Sequence, residues 1–249
     1  MPYFFQEDLS QDSFILAAKE AKHISKSMRL KEEDNIWITD GKGTRAKAAL
    51  TSVRKEGCEV KIEERSFIEQ SHINRFHLVV APTKNPNRME WLVEKAVEIG
   101  VSKITFVICE RSERKYVELN RLQRISIAAL KQSQGVWLPE IIVVPFSQFI
   151  KESAQFNADK FTACCDDKIP TIHISDIKYD FKEVVFLIGP EGDFTPQEVE
   201  LAMAQGFQPV TLGEKILRTE TAALFVACCC AAMKKSSFIT SKYHCLHKE

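Results

Sequence analysis

Two short stretches of this 249-residue chain combine glycines, hydroxyls, acids and arginine closely enough to build a ligand site. The first is Gly189-Pro190-Glu191-Gly192-Asp193-Phe194. Its two glycines let backbone approach a ligand closely, and it leads into a helix start, where free amide groups favour electron-rich partners. The second runs from Leu212 through Gly213, Ile216, Leu217, Arg218, Thr219, Glu220 and Thr221 to Ala222. It gathers hydroxyls, acids and Arg218 at another helix start, while Leu212, Ile216 and Leu217 read as a pocket floor. Neither a phosphate-binding P-loop nor G-x-G-x-x-G occurs in this half of the chain, so phosphate cradling is not the expected use.

Both stretches must sit where strands end, because open α/β sheets bind ligands beyond the carboxyl ends of their strands. Alternating apolar strands and amphipathic helices from about residue 73 onward meet that need. Phe76–Ala81, Lys103–Cys109, Glu140–Val144, Phe161–Cys165, Val184–Ile188 and Pro209–Leu212 read as strands. Asn87–Ile99 places Met89, Leu92, Val93, Ala96 and Val97 on one face and stops at Gly100. Leu119–Gln134, Gln148–Gln155, Thr195–Gln205 and Thr219–Lys235 are the other helices. Thr195 as N-cap, Pro196 in the first turn and Glu198 three residues on form a capping box. This alternation predicts a parallel sheet covered on both faces.

Residues 1–72 read differently. Ile36–Thr39, Ala46–Val53 and Cys58–Ile62 alternate as strands, Asp40-Gly41 and Lys55-Glu56-Gly57 mark turns, and Ala17–Met28 is the one helix candidate. Gly41-x-Gly43-x-x-Ala46 imitates a dinucleotide fingerprint, but strand spacing follows it, so a hairpin is the reading. The chain therefore divides into 1–72 and 73–249, with a tail over 237–249 that need not be ordered.

Composition narrows the function. Hydrophobic residues are 45% and charged residues 27%, and 34 basic residues balance 34 acidic ones. That is a globular chain without the basic excess of a non-specific nucleic-acid binder. A local basic run remains at Arg111, Arg114, Lys115, Arg121, Arg124 and Lys131. No apolar run reaches the roughly 20 residues of a membrane span. No secretory signal is evident, and a cytosolic protein is expected. Eight cysteines, three of them consecutive at 228–230 and none in C-x-x-C, fit reduced thiols. His244, Cys245 and His247 offer three ligands where a structural zinc site takes four, so no metal is expected. His77, in an apolar strand, reads as a core histidine, and His23 as a packing residue of the first part.

Ile188-Gly-Pro-Glu-Gly-Asp-Phe194 together with Leu212-Gly-x-x-Ile216-Leu-Arg-Thr-Glu-Thr-Ala222 resembles the bacterial ribosomal RNA small subunit methyltransferase E family. Lys84-x-x-x-Arg88-Met-Glu, Glu94-Lys95-Ala-x-Glu98, Glu110-Arg111-Ser112 and Gln132-Ser133 agree with it. So do His23, Met28-Arg29-Leu30, Asp34 and Asp40-Gly41-x-Gly43 in the first part. The resemblance covers nearly the whole chain. It implies an α/β fold: a C-terminal trefoil-knotted (SPOUT) parallel-sheet domain behind a small PUA-like β-barrel. Asp193 and Glu33 stand where glycines are common in the family, Gly135 near an arginine position, and Tyr3 in place of a basic residue.

The same resemblance implies methylation of N3 of a specific uridine in 16S ribosomal RNA, carried within the small subunit, with S-adenosylmethionine as donor. The donor would rest on Leu187, Ile188, Gly189, Pro190, Glu191, Gly192, Leu212, Gly213, Ile216, Leu217, Thr221 and Ala222, and a side chain at Gly189 would fill its space. N3 lies on the Watson–Crick edge, so the base must be unpaired, and its proton must leave. Arg218 would stabilise charge developing on the base carbonyls. Glu191 or Glu220 would orient Arg218 or relay the proton, although Glu220 also suits a helix N-terminus. Arg29, Lys84, Arg88, Arg111 and Arg114 are candidates for RNA phosphates. A homodimer is implied, in which the uniformly apolar Ala222–Met233 helix is buried, one side against the partner. The competing readings are the same fold acting on another rRNA or tRNA position, and a non-catalytic RNA-binding or ribosome-assembly protein.

Overall fold

A computed structural model describes residues 1–16, 18–54, 57–70, 76–164, 168–177 and 183–232. The expected boundary at residue 72, the first two residues of the 55–57 turn and the 244–247 cluster lie outside those residues, as does the 237–249 tail.

The first unit holds β1 (Tyr3–Phe5), β2 (Ser13–Leu16), α1 (Ala18–Lys22), β3 (Asn35–Thr39), β4 (Thr44–Val53) and β5 (Cys58–Phe67). The sheet order is β1-β3-β4-β5-β2. Only β1 and β3 run parallel. No ladder joins β1 to β2 among the described residues, so the expected barrel is open at that seam. Alternation decides which face is inside: Ile36, Ile38, Ala46, Ala48, Leu50, Val60 and Ile62 are buried together with Phe4, Leu16 and Ile24. The expected single helix to Met28 changes pitch at His23 and finishes as a π-helical turn, His23–Met28. It ends where Arg29 takes a left-handed φ of 55° and Leu30 N–H donates to Ile24 O (3.1 Å). Glu33 also has a positive φ, 72°. That is the conformation a glycine adopts without strain, which accounts for the glycine common there.

The hairpin reading of Asp40–Gly43 holds: Asp40 Oδ1 accepts from Lys42 N–H (2.7 Å) and Thr44 N–H (3.0 Å). The turn also joins the two units. Leu138 N–H donates to Gly41 O (2.9 Å), and Gly43 N–H donates to Val136 O (2.8 Å). A Cβ on Gly41 would lie 2.7 Å from Leu138. Trp137 Nε1–H donates to Ile68 O (2.9 Å), and Lys131 Nζ meets Glu20 Oε1 at 2.6 Å. The two glycines therefore serve close approach between units rather than a nucleotide.

The second unit runs β6 (Phe76–Val80), α2 (Pro86–Ile99), β7 (Lys103–Ile108), α3 (Leu119–Ser133), β8 (Glu140–Pro145), α4 (Phe146–Ser153), β9 (Ala158–Ala163), β10 (Ile172–His173), β11 (Glu183–Ile188), α5 (Pro196–Ala204), β12 (Gln208–Thr211) and α6 (Thr219–Ala232). All seven strands are parallel, in the order β10-β12-β9-β11-β6-β7-β8. The chain lays β6, β7 and β8 toward one edge and crosses to β9 and the far edge strand β10. It then returns to insert β11 between β9 and β6, in agreement with the trefoil-knotted sheet expected above. Helices α2, α3 and α6 cover one face over Leu78, Val80, Ile104, Phe106 and Phe186. Helices α4 and α5 cover the other over Val79, Val107, Val185 and Leu187. No helix among the described residues is long and apolar enough to cross a membrane.

Helix α4 begins two residues before the expected Gln148, because Phe146, Phe149 and Ile150 share its buried face. Strand β9 begins three residues before the expected Phe161. Its polar start hides a structural lysine: Lys160 Nζ donates to Ser153 O (2.6 Å) and Gln205 O (3.0 Å), closing the ends of α4 and α5. The two-residue β10 was not anticipated.

His77 is a core histidine, 2% exposed, with Nε2 2.7 Å from Thr105 Oγ1. Burial, assisted by nearby Lys103, pushes its pKa from 6.5 down to about 3. Within that window the unfolded chain takes up a proton that the folded chain refuses, so stability is lost as pH falls below 6.5. The loss should approach about 1.4 kcal/mol per pH unit. His77→Gln removes the titration. Urea unfolding of both proteins between roughly pH 5 and 6.5, above most carboxylate titration, should show a steeper decline for the wild type. Parallel declines would refute the assignment.

Candidate active site

The carboxyl ends of β9, β11 and β12 lie side by side, and the two glycine-bearing stretches rise from the last two. After β11, Asp193 N–H donates to Pro190 O (2.9 Å) and closes a turn. Asp193 takes φ +57°, the conformation that makes glycine common there, and its Oδ1 accepts from Phe194 N–H (2.8 Å). Aspartate is among the few residues whose short polar side chain makes that conformation tolerable.

The expected capping box is present. Thr195 Oγ1 accepts from Glu198 N–H (3.2 Å) and Glu198 Oε2 accepts from Thr195 N–H (2.9 Å). Glu198 is buried, and its Oε1 also accepts from Glu110 N–H (2.9 Å), so one carboxylate pins the loop after β7 to the start of α5. Arg111 adds to this, donating from Nη1 to Gly192 O (2.9 Å) and Phe194 O (3.2 Å). Its first task is to hold the turn, not to wait for phosphate. In the second stretch, Arg218 O accepts from Ala222 N–H (2.8 Å), starting α6. Thr219 Oγ1 donates to Gly189 O (3.0 Å) and ties the two stretches together.

Between them opens a cleft of about 710 Å³, within the range of small-molecule sites. Ten of the twelve donor-site candidates line it: Ile188, Gly189, Pro190, Glu191, Gly192, Leu212, Gly213, Ile216, Leu217 and Ala222. Leu187 does not. It alternates away from Ile188 and packs in the core on the α4–α5 face. Thr221 does not either, because the first turn of α6 carries it outward to solvent. A third wall, Ala163, Cys164, Ile169 and Thr171, follows β9. Only its position at a strand's carboxyl end could have signalled it, since it carries no glycine or charge motif. Ile216 is 87% exposed at the cleft, an unusual setting for a large aliphatic side chain. A Cβ on Gly189 would point at Phe194 (3.1 Å) and Asp193 (3.2 Å), inside the turn. Substitution there would distort the turn instead of simply filling ligand space.

The catalytic candidates separate. Arg218 lines the cleft, is exposed, and has no side-chain hydrogen bond or ion pair among the described residues. Glu191 also lines it, and its Oε1 accepts from Lys84 N–H (3.0 Å). Glu220 is elsewhere. It is 7% exposed and absent from the cleft lining, and its Oε1 lies 3.4 Å from Arg88 Nε. Its Oε2 is buried without a partner among the described residues. In the structure Glu220 faces Arg88, the third residue of α2, and no bond joins it to Arg218 among the described residues.

That pair also occupies Arg88, an RNA candidate. Lys84 Nζ reaches Glu113 Oε2 (2.8 Å), and Arg114 Nε donates to Tyr116 O (2.9 Å). Arg29 is exposed on the first unit. Two residues of the basic run are paired with acids, Arg121 bidentate to Glu90 (2.5 and 2.8 Å) and Lys131 on Glu20. Tyr3, which stands in place of a basic residue of the family, is 8% exposed and part of the fold's interior. No His, Cys, Asp or Glu cluster suited to a metal occurs among the described residues.

An RNA methyltransferase domain model matches residues 69–231, and an RNA methyltransferase PUA domain model matches residues 16–63. The chain is 28% identical over 232 residues to the ribosomal RNA small subunit methyltransferase E of Aquifex aeolicus, covering 91% of this chain and 97% of that one. Among solved structures it is similar to a probable rRNA-methyltransferase from Porphyromonas gingivalis, at 38% identity and a TM-score of 0.84, covering 91% and 95% of the two chains. It is also similar to a ribosomal RNA small subunit methyltransferase E from Neisseria gonorrhoeae bound to S-adenosyl methionine, at 30% identity and a TM-score of 0.79, covering 92% and 95%.

Proposed function

The chain belongs to the ribosomal RNA small subunit methyltransferase E family, and on that premise we propose that it methylates N3 of a specific uridine of 16S ribosomal RNA, with S-adenosylmethionine in the cleft between β9, β11 and β12. The observation that carries this reading is the cleft itself. Two glycine-bearing turns tied by Thr219 offer backbone groups, Ile188, Leu212, Leu217 and Ala222 give an apolar floor, and Arg218 stands at the mouth with no side-chain partner among the described residues. The cleft fits a bent, partly apolar nucleoside ligand.

When bound, S-adenosylmethionine supplies an electrophilic methyl group. The residues of the chain do the rest. Backbone groups of Gly189–Gly192 and Leu212–Leu217 would hold the donor, and Ile216 would shield it from water. The Arg218 guanidinium stabilises negative charge on a uracil carbonyl as the N3 proton leaves. Glu191, held by Lys84 N–H, is the cleft carboxylate assigned to take that proton. A ribosomal substrate also places the activity in the cytosol.

The working form is a homodimer. Helix α6 is not buried on all sides in one chain: Phe225 is 40% exposed and Cys228 is exposed. The neighbouring α2 presents Trp91, 43% exposed. Helix α5 covers the opposite face of the sheet, so α2 rather than α5 continues the α6 surface. Sedimentation at micromolar concentration should give about twice the 28.4 kDa chain mass. An active monomer would end this part of the proposal. Calorimetric titration with S-adenosylmethionine, followed by label transfer from it to small ribosomal subunits lacking the modification, tests the function. Donor binding with stable methyl incorporation into 16S RNA is expected, and a protein that binds RNA but no donor would be an assembly factor instead.

A further inference from the structure

A second pocket, of about 250 Å³, opens on the same carboxyl edge of the sheet between the loop after β6, the start of α2 and the segment leading into α3. It shares no lining residue with the donor cleft. The two are separated by the latch in which Lys84 N–H donates to Glu191 (3.0 Å). Its floor is apolar, with Met89 and Leu122 each 3% exposed. Its rim carries Tyr116, 67% exposed, and Asn87, whose amide can both donate and accept. Arg114 is held at this rim by its Nε–H bond to Tyr116 O (2.9 Å), which leaves its terminal nitrogens without a partner among the described residues. Arg121, by contrast, is paired bidentately with Glu90.

An aromatic ring left in water over an apolar floor, with an amide and a guanidinium beside it, is a setting for one nucleotide of a single strand. The base stacks, the amide meets its edge, and the cation meets a phosphate. We infer that this pocket seats one nucleotide of the substrate RNA other than the one methylated, with its base on Tyr116 and its phosphate at Arg114. This rests on the RNA-substrate reading above and adds an anchoring point to it. A base here lies across the latch from the donor cleft of the same chain. Its effect is therefore on RNA affinity and register, not on the methyl-transfer step.

Fluorescence anisotropy with a short labelled oligouridylate tests this directly, using full-length wild type, Tyr116→Ala and Arg114→Ala. Both side chains sit at the surface, so the fold should be kept. Losing one base stack should weaken RNA binding by roughly tenfold or more with an unchanged salt slope. Losing Arg114 should flatten that slope by about 0.7. The Michaelis constant for small ribosomal subunits should rise with each, while donor affinity and single-turnover rate at saturating RNA stay at wild-type values. RNA binding by Tyr116→Ala equal to wild type, or a loss that tracks a shift to monomer in sedimentation, overturns the assignment. If the wild type nevertheless methylates rRNA, the functional reading stands without it. A wild type that neither binds donor nor transfers methyl removes the functional reading, whatever the titration gives.

Discussion

Arg218→Ala is expected to slow single-turnover methyl transfer by roughly two to three powers of ten while leaving donor affinity nearly unchanged. A preorganised cation aimed at developing charge is worth about 3–4 kcal/mol in a transition state and little in the ground state. Arg218 meets the structural condition for that role. Its backbone is fixed as the first acceptor of α6, with Ala222 N–H at 2.8 Å, and its side chain has no protein partner among the described residues to compete with a substrate. Arg218→Lys should recover only part of the rate, because an ammonium cannot reproduce a forked contact. Rapid-quench transfer and donor calorimetry on the same preparations separate the possibilities. Weakened donor binding with an intact rate would make Arg218 part of the donor pocket.

Ile216→Asp should do the converse. At 87% exposure the side chain contributes almost nothing to the folded chain by itself, so thermal stability should not change. If the donor covers it, burying an aliphatic side chain contributes about 1.5–3 kcal/mol, and the charged replacement should weaken donor binding about ten- to a hundredfold. The rate at saturating donor should recover. Calorimetry showing wild-type affinity in Ile216→Asp would remove this residue from the donor site.

The site was legible where local chemistry writes itself into adjacent residues. Glycines, a capping box and an apolar–arginine step marked both turns, because each feature acts within a few residues of itself. Pairings across the fold left no such mark. Arg111 reads as a free cation in sequence, yet it is bonded to carbonyls 81 and 83 residues away. Arg88 and Glu220 read as separate functional charges and are partners. The wall formed by Cys164, Ile169 and Thr171 exists only because β11 is inserted next to β9 after β10 has been laid down. Local periodicity cannot report such an insertion. Gly41 and Gly43 show the same limit from the other side. Their hairpin was readable, but the neighbouring unit that requires them to lack side chains was not. Asp193 and Glu33 stand where the family commonly has glycine, and both hold left-handed backbone, so the family pattern there records geometry.

Mass spectrometry of nucleosides from 16S ribosomal RNA should compare a strain lacking this gene with the same strain complemented by wild-type or Arg218→Ala protein. One N3-methyluridine should disappear on deletion, return with the wild type, and stay absent or strongly reduced with Arg218→Ala. Unchanged N3-methyluridine in the deletion strain, or loss of a ribose-methylated or guanine-methylated nucleoside instead, would contradict the proposed activity.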